Sequence, residues 1–199
     1  MKKTNNKGFS LVELIIVIAI MAILAGAIAP ALIKYIDKSR KSNDVSSAKT
    51  IKTAVETALG NESIYEYLTT TNSSFNNCTL IKLTPGTATT NGGGVSIEKI
   101  GAVTSINGKT ATQLETLAKT EIGNTIGEKI PKLKYTKAMK INGTDVTPTN
   151  YYAVISQSGT VYVFIGNGVE SVAPTTSSSA GLTSTKGWQI SPYIADEYQ

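Results

Sequence analysis

Between Phe9 and Ala29 the chain runs for 21 residues with one ionisable side chain, Glu13. As a helix this stretch measures about 31 Å at ~1.5 Å per residue, close to the ~30 Å hydrocarbon core of a bilayer. A segment apolar on every side needs lipid or other apolar helices around it. The remaining residues must therefore fold as a body that carries this helix, not one that hides it. Eight residues precede the run, MKKTNNKG, short, polar and basic through Lys2, Lys3 and Lys7.

One reading is a secretory signal, removed after export. The small residues of AGAIAPA, 25–31, then supply a cleavage site. Two features oppose it. Glu13 interrupts the start of the apolar region, which an export signal does not require. The helical pattern also continues beyond Pro30.

The stretch KGFSLVELIIVIAIMAILAGAIAP, 7–30, resembles the N-terminus of a type IV prepilin of the short-leader, type IVa-like class. Gly8, Phe9, Ser10, Leu11, Glu13, Leu14, Ile15, Gly26 and Pro30 carry the resemblance, which covers residues 7 to about 33. It implies a leader at 1–8, removed between Gly8 and Phe9 by a prepilin peptidase that then methylates the Phe9 amine. Gly8 suits such a site, because a residue without a side chain lets a protease approach the backbone closely. The resemblance also implies an α+β fold, in which the long N-terminal helix packs on an antiparallel sheet in a lollipop shape. The divisions are 9–33 as transmembrane and assembly helix, 34–60 as its amphipathic half, and 61–199 as the head.

A carboxylate at a bilayer centre costs about 2.5–3.5 kcal/mol. Glu13 lies near the interface and in the first helical turns, where the helix dipole favours a negative charge by ~0.3–1 kcal/mol. The resemblance supplies a partner for it, the Phe9 amine of a neighbouring subunit; the alternative is an interfacial anchor with no partner. Gly26 and Pro30 form a second pair. Proline removes an N–H and crowds the carbonyl four residues back, here that of Gly26, itself a poor helix former. The pair marks either a tolerated kink or a point where the helix unwinds within a filament.

Residues 35–59 continue helically, with Val45, Ala48, Ile51, Val55 and Leu59 as one apolar stripe. Gly60–Asn61 is a stop signal, so one helix over about 9–59 is expected. Residues 61–94 read as a long connection holding a strand at 79–83, and 95–100 reads as another. The NGGG of 91–94 lacks the Lys and Ser/Thr of a phosphate loop and reads as a flexible turn. A helix over 110–122 presents Leu114, Leu117, Ala118 and Ile122. Residues 132–141 read as a strand, followed by the turn NGTD. YYAVISQSGTVYVFIG, 151–166, reads as a hairpin turning at Gln157–Gly159, with Tyr152, Val154, Val161, Val163 and Ile165 facing the helix. A polar loop at 175–185 and a last strand at Trp188–Ile190 complete the chain.

The net charge of +5, from 19 Lys/Arg and 14 Asp/Glu, owes much to the leader. Without the three lysines before Gly8, 16 cations face 14 acids, leaving +2. No specific nucleic-acid partner follows from that. Charge asymmetry does not set the orientation, since Lys34, Lys38, Arg40 and Lys41 on the far flank are offset by Asp37 and Asp44; the resemblance implies the N-terminus inside. The single cysteine, Cys78, permits no intrachain disulfide and reads as a small hydrophobe. The C-terminal segment, which many such pilins close by a disulfide, must then be held by hydrogen bonds and packing.

With no histidine and no nucleophile–base pair, no enzyme is expected, and neither cofactor nor metal. The resemblance implies a structural pilus subunit, held in the cytoplasmic membrane and then polymerised on the cell surface for motility, adhesion or biofilm. Its partners are further copies of itself in a helical homopolymer, the prepilin peptidase, the membrane assembly machinery, minor pilins, and lipid before assembly. Two alternatives stand beside it: a minor pilin or pseudopilin of a secretion or DNA-uptake system, and a membrane-anchored surface binding module that never polymerises.

Overall fold

The computed structural model describes residues 8–70, 75–141, 143–169, 173–174, 182–184 and 186–198. Residues 1–7 of the expected leader, most of the loop expected at 175–185, and Asn142 of the NGTD turn lie outside them. The described residues fall into two compact units that divide between Ser39 and Arg40.

Helix α1, Leu11–Ala58, is a single element of 48 residues that passes through Pro30. Its bounds agree with the expected 9–59 within the usual fraying of helix ends. Up to Ile36 its large apolar side chains are all exposed. From residue 40 onward it belongs to the second unit and buries Asp44, Val45, Ala48, Ile51, Ala54, Val55 and Ala58. The expected stripe is present, but Leu59 at its end is only partly buried.

The helix stops where Gly60 and Asn61 stand, though by a different mechanism. The Gly60 N–H turns back to the Thr57 carbonyl, and the Asn61 side chain accepts from the Ser63 and Ile64 amides, opening helix α2, Glu62–Leu68. The reading of 61–94 as connection is corrected here. Asn61 is an N-cap, and Ile64, Tyr67 and Leu68 at helical spacing fill the core.

Five antiparallel strands make the main sheet: β1 (Cys78–Leu83), β2 (Val95–Lys99), β3 (Asn150–Ser156), β4 (Val161–Gly166) and β5 (Gly187–Ser191), in the order β5-β4-β3-β1-β2. The β3–β4 hairpin turns at Gly159, whose φ of 80° only glycine adopts freely. Its register sets Ile155 opposite Val161 and Ala153 opposite Val163. Directly opposed residues share a face, so Val161, Val163 and Ile165 join Tyr151, Ala153 and Ile155 against α1.

Tyr152 and Val154 were expected there too, and that expectation is corrected. They lie on the other face with Phe75, Cys78, Leu80, Phe164 and Val169. A shift of one residue in the pairing exchanges the faces, and here the loop length decides the parity. Both sheet faces are covered, which is why β3 and β4 are apolar almost throughout. Cys78 is buried in the second cluster, and burial pushes its thiol pKa up.

Helix α3, Ala111–Ile126, starts with a Thr110–Gln113 capping box. It buries Leu114, Ala118 and Ile122, and Leu117 packs against the same core. The NGGG stretch is not a flexible turn but a packed one. Gly92 is buried. A Cβ there would stand 2.5 Å from the Lys119 Cβ, and one on Gly123 would stand 2.9 Å from the Thr89 carbonyl oxygen. The loop and α3 approach as closely as glycine alone allows.

Of the strand expected over 132–141, only Met139–Ile141 forms, paired with Thr144–Val146. The reason is Asp44, which is fully buried on α1. Its carboxylate accepts the Lys134 amide at 2.7 Å and the Tyr135 amide at 2.9 Å. Those amides serve a side chain rather than a neighbouring strand. The same carboxylate accepts the Tyr198 hydroxyl at 2.8 Å. The Tyr135 and Tyr198 rings meet edge to face at 6.1 Å, with the Lys41 ammonium over both. Asp44 thus ties the C-terminal segment and the 134–135 backbone to the helix, where a covalent bridge was ruled out by the single cysteine.

Candidate functional site: the head of the apolar helix

Sequence reasoning placed the site at Gly8, Phe9, Glu13, Gly26 and Pro30. Gly8 is exposed, with open space where a Cβ would project. Phe9 beside it is 87% exposed, so the Gly8–Phe9 bond is accessible from the Gly8 side. The Leu14 amide bonds to the Ser10 carbonyl at 3.2 Å, which starts the helix.

Glu13 has a partner within its own chain. Its Oε2 accepts the Ser10 amide at 2.8 Å. Ser10 and Glu13 are spaced as S-x-x-E, and the observed bond is the glutamate half of a capping box. The anchor reading with no partner is therefore incomplete. Sequence reasoning missed this role, although the three-residue spacing signals it. One bond leaves most of the carboxylate's acceptor sites open, since an ionised carboxylate has about four lone-pair positions. Glu13 can thus cap its own helix and still receive a cation.

Gly26 and Pro30 lie one turn apart within the unbroken helix, and a Cβ on Gly26 would meet nothing within 4 Å. Because Pro30 has no N–H, the Gly26 carbonyl lacks its usual intrahelical donor. Nearby, Leu11, Ile15, Ile18, Ile23 and Leu32 are all more than half exposed. The helix is long and apolar enough to cross a membrane. Among the described residues, no group of three or more His, Cys, Asp or Glu is placed to hold a metal ion.

Comparison with known proteins points to the same end of the chain. The family described as the prokaryotic N-terminal methylation motif matches residues 3–29. A type IV major fimbrial protein, FimA, of Dichelobacter nodosus is 44% identical over 57 residues, which is 29% of this chain and 36% of that protein. Fimbrial protein Q of Moraxella bovis is 50% identical over 54 residues, 27% of this chain and 34% of that protein. The type IV major alpha-pilin of Moraxella bovis is 48% identical over 54 residues, with the same shares. The chain thus spans about a third of the length of these relatives. No solved structure gives a significant match. This chain carries the prokaryotic N-terminal methylation motif and, over more than a quarter of its length, is similar in sequence to type IV pilins.

Proposed function

We propose that the chain is a structural subunit of a type IV pilus. Its precursor is cut between Gly8 and Phe9 by a prepilin peptidase, and the new Phe9 amine is methylated. Residues 9–33 hold the subunit in the membrane with the N-terminus inside. They later bundle with the same segment of other copies in the filament core, while 34–60 and the head at 61–199 form the rest of the subunit. The observation that carries this reading is the helix surface itself: a long apolar face exposed on every side, with a carboxylate at its head. Such a face is stable only in lipid or among its own kind. The names of the relatives favour a major over a minor subunit.

Glu13 is assigned a dual role. Before assembly it caps its own helix; on assembly it also receives the Phe9 amine of a neighbouring copy. In low dielectric such a pair can be worth several kcal/mol, less the cost of desolvation. Gly26 and Pro30 are the point at which the helix lengthens in the filament.

The test is mass analysis and imaging of filaments sheared from cells. The subunit is expected to begin at Phe9 with a methylated amine. Glu13→Gln is the informative variant, because glutamine still accepts the Ser10 amide but carries no charge. It should insert and be cut normally yet yield few filaments, as should Glu13→Ala, while Glu13→Asp retains a part. Normal filament yield in Glu13→Gln would reduce Glu13 to a helix cap. A mature chain starting near residue 30 would overturn the pilin reading. Scarcity of the chain in sheared filaments would assign it to a minor position.

A further inference from the structure

The apolar run ends at Ile33, and α1 continues as Lys34-Tyr35-Ile36-Asp37-Lys38. Lys34 and Lys38 are one turn apart, so they lie on the same side of the helix, and both are exposed. Tyr35 is 73% exposed. Asp37, the acid in this turn, is less exposed than either lysine.

Depth follows from helix geometry. Leu11 to Ile33 is 23 residues, or about 35 Å at ~1.5 Å per residue, slightly more than the ~30 Å hydrocarbon layer. At the ~20° tilt usual for spanning helices the run projects about 33 Å, so Lys34 emerges a few Å into the headgroup layer and Lys38 about 6 Å later, near its outer edge. The headgroup layer on each side is about 5–8 Å thick, so the whole set spans it. An ammonium on a four-carbon stem and a phenol with a polar tip are the side chains that settle at this depth.

We propose that Lys34, Tyr35 and Lys38 form a collar that binds anionic phospholipid headgroups and fixes the depth of the unassembled subunit in the membrane. This rests on the membrane-held stage proposed above. The acids of α1 itself offer a neighbouring copy little to place against these lysines. Asp44 is buried and bonded to Tyr198, Glu56 is paired with Lys52 at 2.6 Å, and Glu13 is at the far end.

The test uses the chain beginning at Phe9, free of the basic residues 1–8, reconstituted in phosphatidylcholine vesicles carrying trace spin-labelled phosphatidylglycerol or spin-labelled phosphatidylcholine. Electron spin resonance then reads the fraction of each label held against the protein. The phosphatidylglycerol label should be preferred, with each lysine contributing up to about fivefold. The preference should fall towards parity in Lys34→Gln/Lys38→Gln. It should persist in Lys129→Gln/Lys140→Gln, which removes the same charge from exposed positions in the other unit. Equal retention of both labels by the parent would overturn the collar. So would a preference that survives Lys34→Gln/Lys38→Gln, or one lost equally in Lys129→Gln/Lys140→Gln. A chain that does not enter the vesicles at all would refute the membrane-held stage itself, and the collar with it.

Discussion

Replacing Asp44 by alanine should be among the most damaging single changes in the second unit. The carboxylate accepts three hydrogen bonds, from the Lys134 amide, the Tyr135 amide and the Tyr198 hydroxyl. Bonds to a charged group contribute about 1.5–3 kcal/mol each. The Lys134 bond is only part-buried and can pass to water, whereas the Tyr135 and Tyr198 bonds are buried and cannot. The expected loss is therefore about 3–5 kcal/mol, a large part of the ~5–15 kcal/mol of an ordinary domain. Asparagine keeps the volume and one acceptor but turns an NH2 towards a donor, so Asp44→Asn should cost somewhat less. Tyr198→Phe removes one buried bond and should cost about 1.5–3 kcal/mol. Added to Asp44→Ala it should cost almost nothing, since its partner is already gone. Urea unfolding of a soluble fragment starting at residue 34 measures all four. At ~2 kcal/mol per molar urea, Asp44→Ala should lower the midpoint by about 2 M. A loss below about 0.5 kcal/mol, the size of an ordinary surface change, would refute the tie. So would strict additivity of Asp44→Ala and Tyr198→Phe.

Val55 is fully buried, and Val55→Asp should prevent the same fragment from folding, because an unpaired carboxylate in an apolar core costs many kcal/mol; an unchanged melting curve would place the stripe elsewhere. Gly123→Ala sets a helix-propensity gain of ~1 kcal/mol against a Cβ 2.9 Å from the Thr89 carbonyl oxygen. The clash should win by about 1–3 kcal/mol, and a rise in melting temperature would show that the glycine loop is not packed on α3. Alkali should destabilise the head. Burial first and Glu115 second push the Tyr67 phenol up to about 12, and burial first and then Asp44 raise Tyr198 and Tyr151. The unfolded phenols release protons near pH 10, so above that the unfolded state binds fewer protons than the folded one. Stability is then complete below about pH 10 and declines as pH rises towards 12; melting temperatures level from pH 8 to 11.5 would contradict this.

What was legible in the sequence was local. An apolar run of membrane length, a 3.6-residue stripe from Val45 to Val55 and a β-rich hairpin around Gly159 each depend on neighbours a few residues away. Periodicity and turn chemistry record such relations directly. Helix α2 was also local, and its Asn61 cap and Ile64–Tyr67–Leu68 spacing were obscured by the stop signal beside them.

The rest was decided by partners distant in the chain. Which face of the hairpin meets α1 depends on a register that the loop sets, and one residue of slip exchanges the two faces. Whether 132–138 becomes a strand depends on Asp44, some 90 residues away, taking amides that a sheet would otherwise use. Whether NGGG is loose or packed depends on how closely Gly123 of α3 approaches it. Asp44 itself looked like one more charge in a solvated flank. Only the fold removes it from water and surrounds it with donors, and a buried carboxylate is stable only where such donors converge.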